Sequence, residues 1–171
     1  ATAVTPLRTT LYGHGLLGAA GEGGGPNEFM KAYPIMHCAT DWIGMASHDD
    51  ANIPNSPESR PDTVYYDPPG GDIGNVASIL QDMSLFPSLA DRVQQGLINF
   101  TWLGRAILHP QGFCAQAAFK VGTACVIDRS ELFYDGNSQG GIIGGALVAE
   151  SPDITRGVLG GVGMNYSTLL Q

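Results

Sequence analysis

The chain has 171 residues, of which 43% are hydrophobic and 14% charged, a balance that suits one globular domain and excludes a disordered tail or a coiled coil. Eight lysines and arginines stand against 16 acids, for a net charge of -8, so the basic surface that binds nucleic-acid phosphates is absent. No apolar run approaches the roughly 18 to 20 residues of a membrane helix, and the start, ATAVTPLRTT, lacks the regions of a signal peptide. The sequence therefore predicts a soluble domain that neither spans a membrane nor binds nucleic acid.

The first part of the chain predicts two strands with a glycine-rich loop between them. Leu7–Tyr12 has the composition of a short strand, and the turn-forming residues 13–27 follow it directly. Residues 28–33 are expected to form one or two helical turns, and a second strand is expected in the first half of 35–46. The proline-rich and acidic residues 47–71 predict a long loop, either a lid or binding loop or a solvated surface excursion.

Two helices and an insert are predicted in the middle of the chain. Asp72 suits the N-cap of a helix over 73–84, and a second helix is predicted over 87–108. In the second helix, spacings of three and four predict a face that packs against a core, made of Leu89, Val93, Leu97, Phe100, Gly104 and Ile107. The insert at 110–130 has no clear pattern of its own.

The last part of the chain predicts a strand, a turn, a helix and a strand in succession. The strands are expected at 131–134 and 156–163, the turn at 135–139 and the helix at 140–150. Such a βαβ unit has a right-handed crossover and belongs to a parallel sheet. The predicted fold class is therefore α/β, a mostly parallel sheet with flanking helices.

The three cysteines contain no CxxC pair, so the sequence supports neither a zinc ribbon nor a thioredoxin-type redox site. Cys114 and Cys125 lie within the insert, where a disulfide between them is permitted in an oxidising compartment. Cys38 lies among apolar residues, and we expect it to be a buried free thiol.

Residues 136–140 read GNSQG, a match to the GxSxG pattern of the sharp turn that exposes a nucleophilic serine above a sheet. Gly136 and Gly140 remove side chains that would collide in the bend. An ordinary serine N-cap would explain Ser138 alone and would leave these glycines unexplained, so we predict that Ser138 is a nucleophile. The helix after it contains four glycines that each cost about 1 kcal/mol relative to alanine, which predicts close approach to neighbouring strands: Gly140, Gly141, Gly144 and Gly145.

Acyl transfer also needs hydrogen-bond donors for the oxyanion, each worth about 3 kcal/mol. One donor is expected to be the backbone NH of Gln139, directly after the serine. The second is expected from the loop after the first strand, where His14 and Gly15 precede Leu16, whose NH would face the site while His14 holds the loop. The alternative is a glycine-rich turn with a hydrogen-bonded histidine. A phosphate-binding loop is excluded, because no GK[ST] follows and the GxGxxG spacing is missing.

With these motifs the sequence resembles the α/β-hydrolase superfamily, specifically its bacterial esterase- and lipase-like members. The resemblance rests on GHGLLG at 13–18, DWIGM at 41–45 and DGNSQGG at 135–141. It covers nearly the whole chain but only the middle of the fold, about strands 3 to 6 of the family. It implies a partial α/β-hydrolase domain over 1–171, with Ser138 as nucleophile and the amides of Leu16 and Gln139 as oxyanion hole.

The sequence departs from this family in its general base. The triad acid and histidine of the family follow the serine, whereas all four histidines here precede it: His14, His37, His48 and His109. The acids after Ser138, Glu150 and Asp153, come too early in the chain. We therefore expect histidine and acid from outside this chain, either from the rest of a longer polypeptide or from a second chain. The less favoured alternatives are a rearranged triad using His48 or His109 and a degenerate scaffold without catalysis.

The sequence thus predicts a carboxylic ester hydrolase that forms an acyl-enzyme on Ser138 and needs no cofactor. Apolar residues at the strand ends favour an apolar acyl or aryl ester: Leu16, Leu17, Trp42 and Met164. Solvated carboxylates are expected in preference to calcium ligands, since no EF-hand spacing is present, at Asp49, Asp50, Asp62, Asp67 and Asp72. The acidic balance and the permitted disulfide favour an extracellular or periplasmic location. The alternative function is a non-catalytic binding or assembly module.

Overall fold

A parallel sheet organises the chain in this computed structural model, which describes residues 5–24, 32–47 and 71–163. The described strands are β1 (Leu7–Gly13), β2 (Ile35–Ala39), β3 (Lys120–Val121), β4 (Ala124–Cys125), β5 (Ile127–Asn137) and β6 (Ile154–Gly160). The described α-helices are α1 (Gly71–Gln81), α2 (Phe86–Leu108) and α3 (Gln139–Glu150), with short 3-10 turns between some elements. Four strands form one sheet in the order β2-β1-β5-β6 with every pairing parallel, and β3 pairs antiparallel with β4. The predicted α/β class is confirmed.

The strand order reverses its direction between β1 and β5. The chain passes from β1 to β2 on one side of the sheet, and from β5 to β6 on the other. Loops after β1 and β5 therefore diverge to opposite sides, and in open parallel sheets ligands bind in the crevice at such a point, outside the carboxyl ends of the strands. Gly13 pairs with Gly136, so the two strands end level with each other.

The core lies on one face of β1 and β5. Leu11, Leu132 and Tyr134 alternate toward this face and are almost fully buried. Helix α2 places Phe100 against Tyr134 and against Trp42, with ring centroids 6.3 and 4.1 Å apart. The packing residues come from β1, β5, α2 and the segment after β2, and these contacts hold α2 on the sheet.

The buried face of α2 differs from the predicted one by a small rotation. Its buried residues are Arg92, Gly96, Phe100, Gly104 and Ile107, whereas Leu89, Val93 and Leu97 are only half-buried. The rotation follows from Gly96, where a Cβ would already lie 3.2 Å from the Trp42 ring. The helix therefore approaches the core along its small residues rather than its leucines.

Helix α1 begins at Gly71 and ends at Gln81, earlier at both ends than the predicted 73–84. Asp72 does not cap it. Its buried carboxylate accepts hydrogen bonds from the backbone NH of Ala46 and from the Arg92 guanidinium. Polar long-range contacts of this kind leave no periodic trace in a sequence.

Strand β5 is longer than the predicted segment 131–134, and it takes the last residues of the predicted insert. It begins at Ile127, but its pairing with β1 is irregular before Leu132, and residues 129–131 are exposed. Because the strand bulges there and its residues are polar, the hydrophobic pattern does not indicate where the strand begins. Strand β6 likewise begins at Ile154 rather than at 156, and ends at Gly160.

The insert contains the short β3–β4 hairpin and a disulfide between Cys114 and Cys125. Phe113 and Phe119 stack beside it, with ring centroids 4.7 Å apart. Cys38 is a free, half-buried thiol, and burial raises its pKa to about 11. The structure thus contains the permitted disulfide and the expected free thiol.

Several sequence predictions fall outside the described residues. They concern most of the segments 28–33 and 47–71, together with His48, Met164, Asp49, Asp50, Asp62 and Asp67. Within the described ranges, none of the helices combines the length and the apolar character needed to span a bilayer.

Candidate active site

Ser138 occupies a sharp turn between the last residue of β5 and the first residue of α3. Its backbone has φ 54 and ψ -115, a conformation that costs a non-glycine residue roughly 1 to 3 kcal/mol. The residue is exposed, and although it occupies the N-cap position its side chain makes no capping hydrogen bond. The hydroxyl is thus at the surface at the carboxyl end of the sheet and does not serve the helix.

Backbone hydrogen bonds hold the strained residue on both sides. The Ser138 NH donates to the carbonyl of Gly160 at the end of β6, at 2.8 Å. The Ser138 carbonyl accepts from the NH of Ile142, one turn into α3, at 3.0 Å. Gly161 passes close by with φ +62, and a Cβ built there lies 3.6 Å from the Ser138 nitrogen. The end of β6 therefore fixes the turn from outside.

The two glycines of the GxSxG pattern each allow a close backbone contact. A Cβ on Gly136 would collide with the carbonyl of Gly140, and a Cβ on Gly140 would collide with the carbonyl of Gly13 and lie 2.9 Å from that of His14. The Tyr134 hydroxyl donates to the Gly140 carbonyl at 2.5 Å. Burial raises the pKa of Tyr134, so the phenol remains protonated and able to donate.

The further glycines of α3 do not all serve the same purpose. A Cβ on Gly141 would meet the Gly160 carbonyl at 2.5 Å, and one on Gly144 would enter the ring of Tyr134. At Gly145 the nearest atom is 3.8 Å away, an ordinary contact. Close approach thus explains the glycines at 140, 141 and 144, whereas packing does not require the one at 145.

His14 is fully buried and holds the loop after β1 through both ring nitrogens. Its Nε2 accepts the backbone NH of Trp42 at 2.8 Å, so Nδ1 carries the proton and donates to the Gly15 carbonyl at 2.7 Å. Because a backbone NH can only donate, this tautomer alone satisfies both contacts. With both nitrogens engaged, the imidazole cannot accept a proton from Ser138 while the loop is intact.

The loop held by His14 runs directly past the serine. A Cβ built on Gly15 lies 3.7 Å from Ser138 Cβ and 3.9 Å from the Asn137 carbonyl oxygen. The Gly15 carbonyl accepts from His14 Nδ1 and from the Gly18 NH, at 2.7 and 3.0 Å. Because the trans peptide directs its NH opposite to its carbonyl, the Leu16 NH points away from the buried histidine. No acceptor for this NH occurs among the described residues.

The structure brings together all the site residues predicted from the sequence, and it separates others that were considered. Gly15, next to Leu16 in the loop after β1, lies against Ser138, which joins the β5 end at Gly136 to the first residues of α3, Gln139 and Gly140. His37 lies within β2 and stacks on Tyr12, with ring centroids 6.4 Å apart. His109 is the C-cap residue of α2, and this end of the helix leads toward the start of β5, whereas Ser138 follows the end of β5. The expectation that Trp42 lines a ligand surface is wrong, because its ring is fully buried against Phe100.

No sequence pattern indicates the strain at Leu17, which has φ 53 and donates its NH to the Met45 carbonyl at 2.9 Å. It also did not indicate the role of Asp41, whose carboxylate accepts the Ala20 NH at 2.6 Å. Asp41 and Trp42 are the first two residues of the DWIGM segment at 41–45. Both of these residues support the loop after β1 through backbone contacts.

No cluster of three or more histidine, cysteine, aspartate or glutamate side chains suited to a metal ion occurs within the described ranges. Asp72, the described member of the five aspartates considered as calcium ligands, is bound to Arg92.

Comparisons with known proteins add no relative: no family model, no curated protein and no solved structure matches the chain.

Proposed function

We propose that the protein is a serine hydrolase of the α/β-hydrolase type that cleaves carboxylic esters through an acyl-enzyme on Ser138. The proposal depends above all on the conformation of this residue. A serine held at φ 54 and ψ -115 between a parallel strand and a helix, with its hydroxyl exposed and not capping, is the geometry of a nucleophile elbow. A merely structural serine in that position would have no reason to bear the backbone strain.

The position of the turn in the sheet supports the same reading. Ser138 and the loop 13–18 follow adjacent strands at the point where the strand order reverses. The Leu16 NH leaves the loop on the side opposite His14, and the Gln139 NH is the first of α3, where helix amides point out of the helix. Together they form the proposed oxyanion hole, in which each donor would lower the barrier by about 3 kcal/mol.

In the proposed reaction the Ser138 hydroxyl attacks the ester carbonyl while a histidine takes its proton. The tetrahedral intermediate then expels the alcohol, which receives that proton from the histidine, and water releases the acid from the acyl-enzyme by the same steps. His14 is excluded as this base by its two backbone hydrogen bonds. His37, within β2, stacks on Tyr12, and His109 lies at the end of α2. We propose that the histidine and the triad acid come from residues outside this chain, in a longer polypeptide or a second chain.

The surroundings of the serine favour an apolar substrate. Leu16 is 59% exposed in the loop whose Gly15 lies against Ser138, and Val162 is 44% exposed beyond the end of β6, where it lies close to Gly141 of α3. An acyl or aryl group would bury this surface, whereas a charged group would gain no partner from it. The disulfide between Cys114 and Cys125 supports a location in an oxidising compartment, extracellular or periplasmic.

A fluorophosphonate probe tests the proposal, because it reacts only with serines activated for nucleophilic attack. The parent protein containing this chain should be labelled on Ser138, and Ser138→Ala should abolish both the labelling and ester hydrolysis. Ser88→Ala removes an exposed serine on α2 and should change neither. A folded parent protein that is not labelled would contradict the proposal and would favour a binding or assembly module that has kept the scaffold.

A further inference from the structure

A buried ion pair lies beneath the loop that follows β2. Arg92 of α2 donates to Asp72 Oδ1 through Nη2 at 2.6 Å and through Nε at 3.1 Å. Asp72 is 1% exposed and Arg92 8% exposed, so water contributes little to solvating either charge. A buried pair of this kind often contributes little net stability compared with an apolar pair of the same shape. Its presence therefore requires a reason other than stability alone.

The second carboxylate oxygen connects the pair to the backbone. Asp72 Oδ2 accepts the NH of Ala46 at 2.9 Å, in the segment after β2. Arg92 also packs beneath that segment, since a Cβ built on Gly44 would lie 2.9 Å from Arg92 Cβ. Gly44 has φ +92, a conformation that glycine adopts without strain. Asp72 and Arg92 thus fix the height of residues 44–46 above α2.

The same segment holds the loop after β1. Leu17 donates to the Met45 carbonyl at 2.9 Å, and Ser47 donates to the Gly18 carbonyl through its NH at 2.8 Å and its Oγ at 3.1 Å. Gly18 and Ala46 face each other as a short parallel bridge. Leu17 has a positive φ that a leucine rarely adopts, so it depends on these bonds for its conformation. Leu16 is its direct neighbour.

We propose that Asp72 and Arg92 are positioning residues for the reaction on Ser138, because they fix the segment to which the Leu16 loop is hydrogen-bonded. This inference rests on the proposed function. The series of contacts runs from Arg92 to Asp72, to the Ala46 NH, across the bridge to Leu17 and so to the Leu16 amide. Neither charged side chain touches the substrate. Their effect is on the alignment of the oxyanion donor, which stabilises the transition state more than the bound substrate.

Steady-state hydrolysis of an aryl acetate by the parent protein tests this positioning role. Arg92→Met keeps much of the side-chain volume and removes the charge, and it should lower kcat about tenfold to hundredfold with KM changed less than about twofold. Arg92→Lys should recover part of kcat, because an ammonium keeps the charge but cannot form both contacts to one carboxylate. Arg105→Met is the matched control. Arg105 is on the same helix as Arg92 and forms an ion pair at 2.8 Å with Asp153, which lies between α3 and β6. Removal of this ion pair should leave kcat unchanged.

Amide hydrogen exchange gives a second measurement that does not need activity. In Arg92→Met, the amides of Leu17 and Ser47 should exchange faster than in the wild type, while those of β5 keep their protection. Unchanged exchange at these two amides would overturn the proposed connection. If Arg92→Met does not fold, Arg92→Lys decides alone, and a kcat equal to that of the wild type would overturn the inference.

The outcomes separate this inference from the proposed function. A wild-type protein that neither hydrolyses esters nor reacts with a fluorophosphonate contradicts both. A wild type that is active, together with variants of Arg92 that raise KM and leave kcat unchanged, contradicts only the positioning role. A fall in kcat at nearly constant KM, with faster exchange at Leu17, supports it.

Discussion

Ser138 and Leu17 are the two non-glycine residues with positive φ in the described part of the chain, at 54 and 53. Each follows a strand of the same adjacent pair, and each donates its NH to a carbonyl of a neighbouring segment, Gly160 or Met45. Strain of roughly 1 to 3 kcal/mol at each position is concentrated around one small patch of surface. Such a concentration of strain is typical of functional sites, and it supports the proposed active site at the carboxyl ends of β1 and β5.

The same residues show what a sequence can indicate about a site. The glycines around Ser138 predicted the turn, because only backbone contacts of the kind seen at Gly136 and Gly140 require them. The positive φ of Leu17 could not be predicted, because leucine rarely adopts such a φ and the hydrogen bond to the Met45 carbonyl that holds it is a tertiary contact. Asp72 was predicted to cap a helix, because the residues next to it in the sequence favour that role. Its actual partner, Arg92, lies twenty residues further along the chain.

Two neighbouring glycines of α3 provide a test at this scale. Gly144→Ala should lower the free energy of unfolding by about 1 to 3 kcal/mol, because the new methyl would enter the buried ring of Tyr134. Gly145→Ala adds the same methyl where the nearest atom is 3.8 Å away, and it should raise the free energy of unfolding by up to about 1 kcal/mol. Urea titration of both variants measures the difference. Equal effects of the two substitutions would show that α3 does not approach β5 as described.

At the scale of elements, the two ends of β5 are joined to different parts of the structure. Its first residues follow the hairpin of β3 and β4, which the disulfide closes, and its last residues lead into the Ser138 turn. The sequence predicted the strand only over 131–134, so the prediction missed its first residues and ended the strand three residues before Asn137. Residues 129–131 are polar and exposed, since the strand bulges there and the alternation of buried side chains begins only at Leu132.

Removal of the disulfide should therefore affect stability and spare the site. The variant Cys114→Ser with Cys125→Ser should lose about 2 to 3 kcal/mol of unfolding free energy, the entropy of a short closed loop. Fluorophosphonate labelling of Ser138 in the folded parent protein should be retained. Urea titration of variant and wild type, with the wild type repeated under a reductant as control, measures the first effect. A loss of labelling in a variant that remains folded would contradict the separation of the two ends.

At the scale of the whole molecule, the described sheet ends at two edge strands, β2 on one side and β6 on the other. Strand β6 pairs with β5, and no second neighbour of β6 occurs among the described residues. Its residues 155–159 are exposed, including Val158 at 66%. An apolar strand with an unpaired edge tends to pair with another chain.

We accordingly expect the 171-residue chain to self-associate through β6. Val158→Lys places a charge on this edge and should shift the protein toward the monomer in sedimentation velocity experiments. Gln94→Lys makes a comparable change of charge on the exposed face of α2 and should leave the association unchanged. A wild type that sediments as a monomer across the accessible concentration range would refute the open edge.

The pairing of β1 with β5 also determines when the site can come into existence. Leu11 is the register partner of Tyr134 on the adjacent strand, although 134 − 11 = 123 positions separate the two residues in the chain. The ribosome must synthesise β1, β2 and two helices before β5, the strand that precedes Ser138, can dock between β1 and β6. Contacts so distant in the sequence form slowly, because a long loop has to close first. Until that closure, the loop of His14 and the turn of Ser138 are separate segments, and the proposed site does not yet exist.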